Sequence, residues 1–286
     1  MDIHTIIQEL QQKNILHSKL IGQNQLSGGS TSELNLLECT DGQKIVIKQN
    51  EPQTIEAEGK FLNSYKDVNL LPEVLYVDPS NRFLVYSFIE GSTQFSRGNK
   101  KGMLSALVKG LINNYKIVDN PPGWGWQVYP ARTWKDFLLN EIFNAKEVLK
   151  SNLNEDEFRF VRNLVETSKE DSSTFKPFLL HGDCGVHNFI FKEEQLYGVI
   201  DPTPIIGDPI FDLIYAFCSS PDQLTKETFD YAVSQLNIKG YQVSPFLYED
   251  IVIGLYLRLR NCSLHHPADL PDYLKAWQYW KDILDS

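Results

Sequence analysis

The sequence predicts an α+β fold of two lobes, a small β-rich N-terminal lobe at residues 1–90 and a larger helical lobe at residues 91–286. Two observations carry this expectation. Before residue 90 the apolar residues come in short runs separated by turn residues, whereas from Lys101 they recur three and four apart over long segments. The composition fits a folded chain: 42% hydrophobic and 22% charged, with no low-complexity tract.

Taken in order, Ile3, Ile6, Ile7 and Leu10 have the spacing of an amphipathic helix at the start of the chain. Leu34 to Leu37 and Ile45 to Ile47 then flank Thr40-Asp41-Gly42-Gln43, which predicts a hairpin with a type I′ turn and puts Lys48 at a strand end. Thr54 to Tyr65 reads as a helix entered at Pro52, and strands are expected at Val74 to Val77 and Phe83 to Phe88. Helices are expected at Met103 to Ile117, Thr133 to Leu149, Asp156 to Thr167, Tyr248 to Leu259 and Tyr273 to Leu284. In this second lobe only Asn188 to Lys192 and Leu196 to Ile200 read as β. Asp119 to Pro130, dense in Pro, Gly and aromatic residues, reads as an ordered loop, and the hinge between lobes is expected near Phe88 to Gly91.

The densest chemical signal is Leu179 to Asp212. Asp183 and Asn188 stand five residues apart in a loop, and a two-strand hairpin returns the chain so that Asp201 emerges beside them. Three oxygen-bearing side chains converge in this way. Phosphoryl transfer needs such a cluster, because Mg2+ takes hard oxygen ligands while a separate carboxylate positions the attacking hydroxyl.

His181-Gly182-Asp183 with Asn188, then Ile200-Asp201-Pro202, then Gly207-Asp208-Pro209 and Asp212, resembles the aminoglycoside phosphotransferase family, whose relatives include fructosamine, choline and homoserine kinases. The resemblance implies a protein-kinase-like two-lobed fold and a kinase that uses ATP and Mg2+ to phosphorylate a hydroxyl of a small molecule: an antibiotic, an amino sugar or an amino alcohol. It implies Asp183 as the catalytic carboxylate and Asn188 and Asp201 as metal ligands. Lys48 matches the lysine on the α and β phosphates, and Glu58 matches its ion-pair partner; Glu56 is a neighbouring alternative. Gly28, Gly29 and Ser30 occupy the position of the loop over the phosphates, where glycines let backbone N–H groups approach an anion. Ser87 and Ile89 correspond to the hinge backbone that pairs with adenine.

His181 is expected to shape the loop, His187 to be incidental, and Asp208 and Asp212 to cap a helix and tie loops. The tryptophans Trp124, Trp126, Trp134, Trp277 and Trp280 are expected in the core more than in a floor for the acceptor. Asp250, Arg258 and Arg260 could meet an acceptor, with solvent-facing ion pairs as the expected arrangement. A protein kinase is disfavoured because Asp201 is followed by Pro-Thr-Pro and only ten residues separate it from Asp212. A catalytically weak nucleotide-binding module on the same fold is the alternative, though Lys48, Asp183, Asn188 and Asp201 are all present.

The formal charge of −10 and the pI near 5.1 argue against nucleic acid as a partner. With neither a signal-type leader nor a spanning segment in the sequence, no membrane partner and a cytoplasmic location are expected. The cysteines Cys39, Cys184, Cys218 and Cys262 lie far apart, so neither zinc nor a disulfide framework is expected.

Overall fold

The computed structural model describes residues 1–26, 32–95, 97–168 and 176–285. The N-terminal region is a five-stranded antiparallel sheet of order β1-β2-β3-β5-β4, formed by β1 (Leu20–Gln25), β2 (Glu33–Cys39), β3 (Lys44–Gln49), β4 (Val74–Val77) and β5 (Phe83–Ser87). Two helices cover its two faces: α1 (Ile3–Gln12) and α2 (Pro52–Ser64).

Period-2 alternation divides the strand side chains between these helices. Ile45, Ile47, Phe83 and Val85 join Ile6, Ile7 and Leu10 of α1 in one core cluster. Val46, Leu84 and Tyr86 face the other way and join Ile55, Phe61 and Leu62 of α2 in the larger cluster that runs on into the helical region. A fully buried Ile or Phe in either layer contributes about 1.5–3 kcal/mol of transfer free energy. Lys48 follows the alternation onto the α2 face, where it is 2% exposed.

The turn between β2 and β3 is not the predicted type I′. Gly42 has φ of +88°, but Asp41 is absent from the positive-φ residues; Cys39 N–H donates to Gln43 O at 2.9 Å and Gly42 N–H to Cys39 O at 3.0 Å. This is a three-residue loop in which only the last residue must be left-handed, and the Asp-Gly pair serves it as well as a two-residue turn.

The chain leaves the sheet through Phe88 to Gly91 and at once pairs with the second region: Ser92 and Phe191 exchange backbone bonds at 2.9 and 2.7 Å. Gly91, at φ +151°, is required there, since a Cβ would lie 2.5 Å from Ile190 Cγ2 and 2.7 Å from Phe191 O.

The second region holds α3 (Lys100–Gly110), α4 (Trp134–Leu149), α5 (Glu155–Ser168), α6 (Ile210–Cys218), α7 (Lys226–Val233), α8 (Leu247–His265) and α9 (Leu270–Leu284). Its β content exceeds the sequence expectation. Besides the hairpin β8 (Phe189–Lys192) and β9 (Gln195–Val199), a three-stranded sheet joins β6 (Gly125–Trp126), β10 (Ile205–Gly207) and β7 (Phe178–Leu180). Strands of two or three residues carry no readable periodicity, so they escape a pattern search. The helix expected to reach Ile117 instead ends at Gly110, followed by a 3-10 turn, Ile112–Asn114, before the chain extends to pair Ile117 with Phe178. The four cysteines are buried and unpaired by disulfides.

Candidate active site

On α2 the buried positions are Ile55, Glu58, Gly59, Phe61 and Leu62, the spacing of one helix face. Glu58 therefore points inward and meets Lys48 Nζ at 2.6 Å, with the two side chains 1% and 3% exposed. Glu56 lies on the outer face and pairs with Lys60 at 2.6 Å, so the sequence alternative is resolved geometrically in favour of Glu58. Lys48 Nζ is also bonded to Asp201 Oδ1, 153 residues away. Burial acts to lower the Lys48 pKa, but the two carboxylates outweigh it and hold it above its ordinary value. Burial pushes the Glu58 carboxyl up, to about 7, against the opposing Lys48 charge.

The loop after β7 is held from beneath by Asp212, in the first turn of α6. Its carboxylate accepts from His181 N–H at 2.9 Å, Gly182 N–H at 3.1 Å and the Tyr115 hydroxyl at 2.5 Å. Burial raises the Asp212 pKa to about 6 despite these donors. Gly182 takes φ +81°, and a Cβ there would sit 2.0 Å from Thr203 O. This close approach lets the His181 and Asp201 segments run side by side, joined by Thr203 N–H to His181 O at 2.9 Å.

His181 is fully buried, and burial lowers its pKa to about 4, so the ring is neutral. Asp183 N–H donates to His181 Nδ1 at 3.3 Å, and Nε2 lies 3.2 Å from Ile200 O. Nδ1 is thus the acceptor and Nε2 carries the proton given to the carbonyl. This neutral ring spans the two loop segments as a bridge, as expected. Asp208 accepts from Ile210 N–H at 3.1 Å at the start of α6.

Asp183 itself accepts from Asn188 Nδ2 at 2.9 Å and lies 3.3 Å from His187 Nε2, and the Tyr215 hydroxyl acts on it electrostatically. Burial would raise its pKa, but His187 and Tyr215 hold it below the ordinary carboxylate value. Ile200 N–H donates to Asn188 O at 2.9 Å, which sets Asp201 beside Asn188. Asp183, Asn188, Asp201, Lys48 and Glu58 thus form one continuous constellation. Gly28, Gly29 and Ser30 lie outside the described residues. Ser87 is tied into the sheet edge, its N–H donating to Glu73 O at 2.9 Å and its Oγ accepting from Glu73 N–H at 2.9 Å. Ile89 packs its side chain over Gly198 of β9, against the base of the second region.

On the far side of Asp183 opens a cavity of about 300 Å³. It is lined by Asp183 and Tyr215, by Trp126, Trp134 and Phe211, and by residues of α8. The tryptophans divide: Trp277 and Trp280 are core, whereas Trp126 faces the cavity with its indole N–H on Glu141 Oε1 at 3.0 Å, and Trp134 lines it while 3% exposed. Arg258 and Arg260 also line it, and neither forms the solvent-facing ion pair expected from sequence: Arg258 Nε donates to the Tyr273 hydroxyl at 2.9 Å and Arg260 Nη1 to Asn261 Oδ1 at 3.2 Å. Sequence reasoning missed Tyr215 and passed over His187 as incidental. His187 lies four residues after Asp183, a spacing that a local turn converts into contact; Tyr215 is reached only through the fold.

The model of the phosphotransferase enzyme family (APH) matches residues 23–242, the span that contains every member of this constellation. The chain belongs to this phosphotransferase family. No curated protein sequence matches it. Solved structures similar to the phosphotransferase include choline kinase from Streptococcus pneumoniae, at 16% identity and a TM-score of 0.60 over 97% of this chain and 98% of that one. Macrolide 2'-phosphotransferase from Brachybacterium faecium aligns at 14% identity and 0.61 over 96% of each chain. The GDP complex of wild-type aminoglycoside 2'-phosphotransferase-IIIa aligns at 14% identity and 0.56 over 98% of each. At such identities the likeness establishes the kinase-like fold of this phosphotransferase. Among the described residues no helix is long and apolar enough to cross a membrane.

Proposed function

We propose that this phosphotransferase moves the γ-phosphoryl group of ATP to a hydroxyl of a small molecule bound in the cavity beside Asp183. The observation that carries the reading is Lys48, buried on the sheet, braced by Glu58 and joined to Asp201 across the two regions. A buried lysine between two carboxylates is poised to exchange one of them for phosphate oxygens. Residues 1–90 act as the nucleotide lobe and residues 91–286 carry the catalytic loop and the acceptor pocket. Ser87 and Ile89 lie where the chain passes between them, at the adenine end of the cleft. A GDP complex of a structural relative is consistent with nucleotide use here.

Asp183 accepts the hydrogen bond of the acceptor hydroxyl, orients its oxygen and takes its proton. Its lowered pKa keeps it ionised at neutral pH. Lys48 offsets phosphate charge, and Glu58 fixes its direction. The residues fit a Mg2+ site: among the described residues no three His, Cys, Asp or Glu side chains cluster as a protein-only cage, whereas Asp201 and the amide oxygen of Asn188, whose nitrogen is taken by Asp183, suit a cation that keeps phosphate oxygens as its other ligands. When bound, Mg2+ supplies charge neutralisation on the phosphates. A weak nucleotide-binding module is disfavoured because all four polar positions are retained in one connected arrangement.

The test is nucleotide consumption with Mg2+ across a panel of hydroxyl acceptors, with ATP and GTP in separate arms, for wild type and Asp183→Asn. Acceptor-dependent turnover should fall ~10²–10⁴-fold in D183N, while ATP–Mg2+ stabilisation against heat persists. Loss of that stabilisation in the wild type would refute the nucleotide assignment.

A further inference from the structure

We propose that the acceptor cavity selects a small hydroxyl compound carrying an anionic group, a carboxylate or a phosphate, and seats that group on Arg258 and Arg260; the proposal rests on the phosphotransferase reading above. Four other arginines, Arg82, Arg97, Arg159 and Arg162, are engaged by carboxylates at 2.7–3.3 Å. Arg258 and Arg260 are bonded only to neutral groups, and Arg260 Nε is buried without a partner. A guanidinium that lines a cavity without a carboxylate partner keeps N–H donors that a ligand's anionic oxygens can take up.

The arginines are also built into place. Leu257, Arg258 and Asn261 continue the stripe of α8 that begins with Asp250, Ile253 and Gly254, so helical spacing aims them at the cavity. Arg258 is fixed by the Tyr273 hydroxyl, which itself donates to Cys218 O at 2.8 Å, and its guanidinium lies 5.2 Å from the Tyr273 ring centre. It lines the same cavity as Tyr215 and Asp183, which puts the cation in one pocket with the phosphorylation point. Three cavity carboxylates argue for a cation instead, but each is already engaged: Asp183 accepts from Asn188 Nδ2 at 2.9 Å. Glu141 holds the Trp126 indole, and Asp250 is 7% exposed and held within the fold. With those carboxylates held by other groups, two arginines that form no ion pair among the described residues are the feature that an anionic group would complete.

Size narrows the class further. About 300 Å³ is at the lower end of ligand sites, enough for a short hydroxy acid, a sugar acid or a small sugar phosphate, and too small for a multi-ring antibiotic held whole.

The experiment uses one skeleton with four charges: glycerate, glycerol 3-phosphate, glycerol and 3-amino-1,2-propanediol. Binding is measured by titration calorimetry, with ATP–Mg2+ stabilisation followed in parallel, for wild type, Arg258→Gln, Arg258→Lys and Arg260→Gln. One or both anions should bind at least tenfold more tightly than glycerol and the amine, and that preference should collapse in R260Q and R258Q; the better of the two anions identifies carboxylate or phosphate. R258K keeps charge where R258Q loses the Tyr273 contact, and R260Q leaves that contact intact. Tightest binding by the amine, equal binding by all four, or an anion preference that survives both glutamine variants overturns the subsite. Failure of ATP–Mg2+ binding alongside a normal anion preference refutes the phosphotransfer reading and leaves the subsite standing.

Discussion

The two sides of Asp183 treat charge in opposite ways. Toward the sheet, Lys48, Glu58 and Asp201 form a cluster closed on itself, each charge answered by another within the chain. Toward α8, Arg258 and Arg260 line a cavity shared with aromatic rings and, among the described residues, form no ion pair with a carboxylate. A closed cluster is complete before any ligand arrives and holds a rigid geometry. An open one is completed by whatever enters, so its leftover donors describe the ligand. On the proposed assignment, the first side meets a nucleotide whose phosphates are always the same, and the second meets the variable acceptor.

The largest expected effect lies on the closed side. Lys48→Met leaves Glu58 buried and unpaired, and breaking a buried pair in this way costs ~3–5 kcal/mol. The cost depends on pH with a definite sign. Without Lys48 the Glu58 carboxyl rises further above its ordinary value, so above the unfolded pKa the folded chain binds more protons than the unfolded one, and stability falls as pH rises. Denaturant unfolding at pH 5 and pH 8 should show K48M closer to wild type at the lower pH. Equal losses at both pH values would mean that Glu58 has a second partner and that the cluster is not closed as described. Turnover of any accepted substrate should fall ~10²–10³-fold, as for other removed charge-stabilising donors.

The same contrast explains what could be read from residues alone. Asp183, Asn188, Asp201 and Lys48 stand at spacings set by a loop, a hairpin and a strand end, local geometry that a sequence carries directly. Glu58 was separable from Glu56 by helix phase alone. The cavity was not legible, because its walls come from α4, α6 and α8, spread over more than a hundred residues, and its arginines look in sequence like any solvent-facing pair on a helix. Tyr215 was missed for the same reason: it joins Asp183 in the cavity lining only through the fold, from α6 to a loop over thirty residues earlier. The short strands at Gly125–Trp126 and Ile205–Gly207 were invisible because two or three residues show no period.

A smaller effect tests the bridge beneath both sides. His181 has a folded pKa near 4 against 6.5 when unfolded, so between those values the unfolded chain takes up a proton that the buried ring refuses. Stability from this residue is present above pH 6.5 and lost as pH falls toward 4, amounting to about 3 kcal/mol. Asp212 titrates oppositely over part of this window, so the informative quantity is the difference between wild type and His181→Asn in unfolding free energy across pH 4–7. A difference that does not change with pH would show that the ring titrates in the fold as it does in the unfolded chain and is not held neutral by burial.

The smallest expected effect probes the boundary itself. The Tyr215 hydroxyl holds the Asp183 pKa down and lines the cavity, so Tyr215→Phe removes that influence on the carboxylate without touching Lys48, Glu58 or Asp201. A hydrogen bond to the ionised form favours ionisation, so its removal raises the Asp183 pKa and moves the acid limb of kcat/KM to higher pH. The loss at neutral pH should stay within about tenfold, the worth of one hydrogen bond to a charged group. KM for the nucleotide should not change. If it rises with the acceptor KM, the two sides are coupled through Asp183 and the closed cluster extends across the catalytic loop into the cavity; if it holds, the division between a fixed nucleotide side and an open acceptor side runs through this carboxylate.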